Sequence, residues 1–169
     1  MPYPVQQIAV TVLGRALENL KSILAKGKAH AEERKIAESV FLSARLYPDM
    51  FPLTRQVHIA TDTARGAAAR LAGVEPPTFD PDEQDFDDLI DRVDKTLAYM
   101  RSLDPKAFDG AETREIARPV GGKPHTFTGT NYLLQYSLPN VFFHVTTAYD
   151  ILRHNGVPLG KADYLGVLD

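Results

Sequence analysis

The sequence predicts an all-α protein, a four-helix bundle with a short β-hairpin or extended excursion before the last helix. Two observations predict it. Four long segments carry apolar residues at i, i+3, i+4 spacing, the stripe of an amphipathic helix. One short stretch instead alternates and turns on paired glycines, the pattern of a hairpin. At 169 residues the chain has the length of a single domain, taken as 1–169, and can bury a substantial core.

The first helix is predicted from Val5 to about Ala29, on the stripe Val5, Ile8, Val12, Ala16, Leu20, Ile23 and Leu24. A shorter helix around Ile36, Val40 and Phe41 follows and is stopped by Pro48 and Asp49. The second long helix lies in FPLTRQVHIATDTARGAAARLAGV, with Pro52 suited to its first turn and Gly73 to its C-terminal cap. After the linker EPPTFDPDEQ, the residues Phe86, Leu89, Ile90, Val93, Leu97, Met100 and Leu103 define a third helix. Acids cluster at its start, where the helix dipole favours them, and Asp104 and Pro105 end it. Ile116 and Arg118, the Gly121–Gly122 turn and Thr126 to Thr128 make the hairpin. The fourth helix is then capped by Thr130, kinked at Pro139 and closed by Gly156, and the tail VPLGKADYLGVLD is expected to be irregular.

Composition narrows the function. The net charge is -3, and basic residues are interleaved with acids, so nucleic acid is not an expected partner. The chain has no cysteine, which excludes disulfides, thiolate catalysis and thiolate-held zinc or iron–sulfur groups. The N-terminal segment lacks a basic leader region and its apolar run is broken by Gln6, Gln7, Thr11, Arg15 and Glu18. Neither a signal peptide nor a membrane span is expected, and a soluble cytoplasmic protein is.

Two polar lanes stand out beside the apolar stripes. On the fourth helix Leu133, Ser137, Asn140, His144, Thr147 and Ile151 share one face, next to Leu134, Leu138, Val141, Val145, Ala148 and Leu152. On the second helix Phe51, Arg55, His58, Asp62 and Arg65 lie next to Val57, Ala60, Ala64, Ala68 and Leu71. If the lanes meet, His58, Asp62, Asn140 and His144 converge on a polar pocket for a divalent metal (zinc, nickel, manganese or iron) or for a small-molecule ligand. Asp62 then either completes a ligand set or, one turn from His58, orients that imidazole. The alternative is that all four residues are satisfied inside the bundle with no ligand.

Other features carry less. His30, His125 and His154 have no ligand set around them, Gly121-Gly122-Lys123 lacks a phosphate-loop frame, and no serine stands in a nucleophile elbow. Tyr132, Tyr136, Phe142 and Phe143 suit core packing or a subunit contact, or the wall of a pocket near the hairpin.

The segments LENL, DMFPLTRQVHIATDTARGAAARLAG and FTGTNYLLQYSLPNVFFHVTTAYDILRHNGVPLGKADYLG together resemble an uncharacterised bacterial domain family of the DinB-like (YfiT-type) superfamily of metalloenzymes. The resemblance spans nearly the whole chain and implies a four-helix bundle. It further implies a divalent metal held by one histidine on the second helix and an HxxxH pair on the fourth, and thiol-dependent transferase or hydrolase activity in some members. His58 matches the first position; the pair becomes Asn140 and His144, an NxxxH in which a neutral amide replaces one imidazole. Two readings follow: a DinB-like bundle whose polar pocket binds a metal or small molecule, or a non-catalytic binding protein with a degenerate site that pairs as a homodimer through exposed apolar surface.

Overall fold

A computed structural model describes residues 4–167. A π-helical segment Gln7–Val12 runs into α1 (Leu13–Arg34), followed by α2 (Glu38–Leu42), α3 (Leu53–Leu71) and α4 (Phe86–Ser102). A 3-10 turn, Pro105–Phe108, leads to β1 (Glu115–Ala117) and β2 (Thr126–Thr128). α5 (Gly129–Asn131), a π-helical segment Tyr132–Ser137 and α6 (Leu138–His154) form one continuous rod, and α7 (Lys161–Leu165) closes the chain.

Helix directions follow from the pairs that bridge them. α1 and α4 are antiparallel, because Lys28 meets Asp87 at 2.6 Å, Lys21 meets Asp94 at 2.7 Å, and Glu18 meets Arg101. α3 and α6 are antiparallel too, with Gln56 on His144 and Thr63 on Asn140. α1 and α6 run together, since Gly27 lies against Leu152 and His30 against Gly156. It follows that α3 and α4 run in the same direction. Parallel neighbours cannot be joined by a tight turn: the chain must travel back along the whole of α3, about 28 Å for its 19 residues. The segment 72–85 does this, as a strap laid over the α3–α4 groove.

α3 is the central helix, buried on nearly every side, and its run Ala60, Ala64, Ala67, Ala68 and Ala69 lets both neighbours approach closely. Its dipole end is capped as expected, with Gly73 at φ 73°. Asp85 caps α4 by accepting from the Asp88 amide at 2.9 Å. The hairpin pairs Glu115 with Thr128, Ile116 with Phe127 and Ala117 with Thr126, and turns through Gly121 and Gly122, both at positive φ. The chain then passes so close to itself that a Cβ on Gly129 would stand 1.8 Å from the Ala111 carbonyl oxygen, which explains the glycine there.

The structure corrects several expectations. α1 continues past Ala29 to Arg34 and ends on Lys35 in the left-handed region, so His30 is a buried residue packed edge-on to Phe41 at 5.9 Å. Thr128 rather than Thr130 caps the last rod. Ahead of Pro139 the rod widens into the π-helical segment. The proline ring excludes the carbonyl four residues back and it has no N–H to donate, and the Ser137 hydroxyl donates to the Tyr132 carbonyl at 3.0 Å. The extra residue per turn rotates the face, leaving Leu134 exposed although its lane was read as apolar. The tail is irregular over 157–160 as expected, but then forms α7, which packs on α1 through Asn19, donating to the Tyr164 carbonyl at 2.9 Å. Leu168 and Asp169 lie outside the described residues. Among those described, no helix is long and apolar enough to cross a membrane.

Candidate functional site

The structure separates the four residues that the sequence grouped. On α3, His58 stands two residues from Gln56, about 200° around the helix, and Asp62 about 240° around it. Gln56 and Thr63 share the face turned to α6, whereas His58, Thr61, Asp62 and Arg65 share the face turned to α4 and the strap. His144 and Asn140 meet the first face. His58 and Asp62 belong to the second, and α3 lies between the two groups.

On the α6 side, the His144 ring and the Gln56 amide are both buried, with His144 Nδ1 2.6 Å from Gln56 Oε1. The Gln56 Nε2 group donates to the Phe51 carbonyl at 2.9 Å. That fixes which way the amide points, so Oε1 accepts from Nδ1–H and the lone pair of the imidazole stands at Nε2. Burial pushes the His144 pKa down, and the nearby Arg55 charge adds to the effect, so the ring is neutral at neutral pH. The Phe143 ring meets it edge-on at 5.1 Å. Phe143 and Phe51 themselves are 57% and 53% exposed, and the Phe51 ring lies by the Arg55 guanidinium. Asn140 is engaged separately, donating from Nδ2 to Thr63 Oγ1 at 3.3 Å.

On the α4 side lies a network of charges that the strap completes. Arg92, buried on α4, donates from Nε to Thr61 Oγ1 at 3.0 Å, from Nη2 to Asp62 Oδ1 at 2.7 Å, and from Nη1 to Glu83 Oε1 at 2.7 Å and the Asp80 carbonyl at 3.1 Å. Arg65 donates from Nη2 to the same Asp62 oxygen at 2.9 Å, and its guanidinium lies 4.1 Å over the Phe79 ring of the strap. The second Glu83 oxygen stands 2.6 Å from His58 Nε2 but out of line for a hydrogen bond, so neither atom has an aligned partner. Burial lowers the His58 pKa; Glu83 opposes that shift and Arg92 reinforces it. Burial alone would raise the Glu83 pKa, but the Arg92 hydrogen bond and charge outweigh it, with help from a backbone amide and His58, and hold the carboxylate ionised. Next to this network the strap and α4 border an open cleft of about 470 Å³ lined by Glu83 and Arg92.

These donor sets do not fit a resident metal. Asp62 spends one oxygen on two guanidiniums, His58 Nε2 faces a carboxylate, and His144 meets the neutral amide of Gln56 with the Arg55 charge nearby, while Asn140 is engaged by Thr63. Among the described residues no three histidine, aspartate or glutamate side chains are grouped to hold an ion.

Sequence reasoning missed Gln56, Glu83 and Arg92. Gln56 and Arg92 were signalled, each interrupting an apolar stripe: Leu53, Gln56, Val57, Ala60 on α3 and Leu89, Arg92, Val93, Thr96 on α4. Glu83 sits in the strap, where periodicity says nothing.

A four-helix bundle with parallel middle helices, a hairpin before the last rod and polar residues facing inward from α3 and α6 defines a DinB-like protein. The family described as "Domain of unknown function (DUF1993)" matches residues 5–165, and the chain belongs to it. A solved structure, described as the crystal structure of a DinB family member protein from Shewanella denitrificans at 1.83 Å resolution, is 40% identical. It superposes with a TM-score of 0.89 over 96% of this chain and 92% of that one. No curated protein matches.

Proposed function

We propose that this protein is a metal-independent small-molecule-binding member of the DinB-like fold, and that its ligand pairs a hydroxyl or thiol with an apolar body. The observation that carries this reading is the 2.6 Å contact of Gln56 Oε1 with His144 Nδ1, which sets the imidazole as a neutral acceptor through Nε2. The exposed Phe51 and Phe143 rings suit the apolar part of such a ligand, and Arg55, 5.8 Å from the Phe51 ring centre, adds a positive charge. A neutral imidazole of this kind also takes a proton from a hydroxyl or thiol. A transferase or hydrolase reaction on this protein would therefore use His144 as general base in place of metal-bound water.

The test is ligand-observed NMR with phenols, short alcohols and aliphatic thiols. Binding is expected that is lost in His144→Ala, weakened in Gln56→Leu and unchanged in His58→Gln. Binding that survives His144→Ala, or no binding by any of these at millimolar concentration, contradicts the reading. The second reading rests on the same exposed rings, Phe51 and Phe143, as the contact between two copies of the chain. It requires a dimer in sedimentation whose stability His144→Ala leaves intact.

A further inference from the structure

Where α3, the hairpin and the last rod meet, two arginines stand without a counter-charge. Tyr132 and Tyr136 are one turn apart at the start of the rod, their ring centroids 5.7 Å apart and their planes 12° from parallel, so both hydroxyls belong to one side of it. Each hydroxyl accepts from a guanidinium. Arg70 of α3 donates from Nη1 to Tyr132 at 3.3 Å, and Arg118, the residue after β1, donates from Nε to Tyr136 at 3.1 Å. The hairpin fixes Arg118, whose amide donates to the His125 carbonyl at 2.8 Å and whose guanidinium lies 5.0 Å from the Tyr136 ring centre. Arg65, Arg92 and Arg101 each meet a carboxylate, whereas Arg70 and Arg118 meet none among the described residues. Both are half-buried, and like charges brought to neighbouring hydroxyls repel unless an anion lies between them.

A separate feature of α3 serves this arrangement. Gly66 lies in the helix interior, where glycine weakens a helix relative to alanine. A Cβ there would stand 2.4 Å from Arg70 Nη1 and 3.6 Å from its Cζ, and would meet nothing else within 4 Å. The glycine therefore makes room for one group, the Arg70 guanidinium folded back along its own helix onto the Tyr132 hydroxyl. Tyr132 is wholly buried, so its hydroxyl positions Arg70 and is closed to a ligand. Arg70 keeps Nε and Nη2 as free donors, and Arg118 keeps both Nη groups. None of these is sealed from solvent, unlike the unpartnered Nε and Nη1 of Arg65. Guanidiniums held by different elements present donors from two directions. A single planar fork satisfies a carboxylate, whereas a tetrahedral oxyanion with three terminal oxygens and about two negative charges uses both. We propose that Arg70 and Arg118 form a binding site for a phosphate monoester, its phosphoryl oxygens on the two guanidiniums and its ester group against the half-buried rings of Phe127 and Tyr136. The site is separate from His144 and stands whether or not that imidazole binds a ligand.

Isothermal titration of the whole protein with phenyl phosphate tests this, with acetate at matched ionic strength as the planar comparison. Phenyl phosphate is expected to bind once per chain and acetate far more weakly. Arg118→Gln, a change on the half-buried hairpin, is expected to weaken phenyl phosphate at least about tenfold, roughly 1.4 kcal/mol. Gly66→Ala keeps both charges and favours the helix but pushes Arg70 off its seat, so it is expected to weaken binding as much while melting no earlier than wild type. Arg153→Gln, the same charge change at the exposed end of α6, is expected to leave binding as it was. The inference is overturned if phenyl phosphate does not bind at millimolar concentration, if acetate binds as tightly, if Arg118→Gln or Gly66→Ala binds as wild type does, or if Arg153→Gln weakens binding as much as Arg118→Gln. Should Gly66→Ala melt earlier than wild type, Arg118→Gln against Arg153→Gln decides alone.

Discussion

Replacing Arg92 by methionine is expected to cost about 3 kcal/mol of stability, the largest effect of any single substitution considered. The side chain is 3% exposed and donates to four partners at once. Removing it strands Glu83, a buried carboxylate that the strap cannot easily return to water, and breaking a buried pair from one side costs roughly 3–5 kcal/mol. The lower end applies because Asp62 is 42% exposed and can be rehydrated. For a chain of this size, the melting temperature should fall by roughly 6–12 °C. Taking away both partners, in Arg92→Met/Glu83→Leu, should recover most of the loss, since an apolar pair of similar volume is often as stable as the buried ions it replaces. A loss below about 1 kcal/mol in the single variant, measured by urea unfolding, would mean that the strap is not anchored on Arg92.

The second large effect is acid sensitivity. Burial lowers the pKa of His58 and of His144 in the folded chain. In the unfolded chain both titrate near 6.5. Above that pH the two states bind the same number of protons at these rings, and stability is flat. Below it the unfolded chain takes up protons that the folded chain does not. Stability therefore falls as the pH drops from 6.5 toward the lower folded values, by up to about 1.4 kcal/mol per pH unit for each histidine. Glu83 works in a separate window. Its folded pKa is held below the ordinary 4.5, so its contribution is intact above that pH and is lost only as the pH falls further. Melting curves at pH 7.5, 6.5 and 5.5 should show the drop only between the last two, and His144→Gln should flatten part of it. A wild-type profile level from 7.5 to 5.5 would contradict the neutral, buried imidazoles.

The helices were legible in the sequence because their burial is one-sided and periodic: Phe86, Leu89, Val93, Leu97 and Met100 read directly as the inner stripe of α4. The hairpin was legible from Gly121 and Gly122, which only a tight turn requires. What could not be read was the order of the bundle. Periodicity says which face of α3 is apolar, but α3 is buried on both sides, and only its parallel packing beside α4 places His58 toward the strap and Gln56 toward α6. The four residues His58, Asp62, Asn140 and His144 were found as polar positions on inner helices, and their division into two networks depends on Glu83 and Arg92, which are distant in sequence. Pro139 was visible as a disturbance, but the π-helical segment ahead of it depended on where Ser137 and Tyr132 could place the freed backbone groups.

The division of the two histidines between opposite sides of α3 is tested most directly by metal content. Untagged protein, dialysed in turn against zinc, nickel, manganese and iron(II) and then against buffer, is measured by elemental analysis. Less than about a tenth of an equivalent of any ion is expected for wild type, His58→Ala and His144→Ala alike. One equivalent in wild type that disappears in both variants would place the two imidazoles on a common ion and contradict their separation.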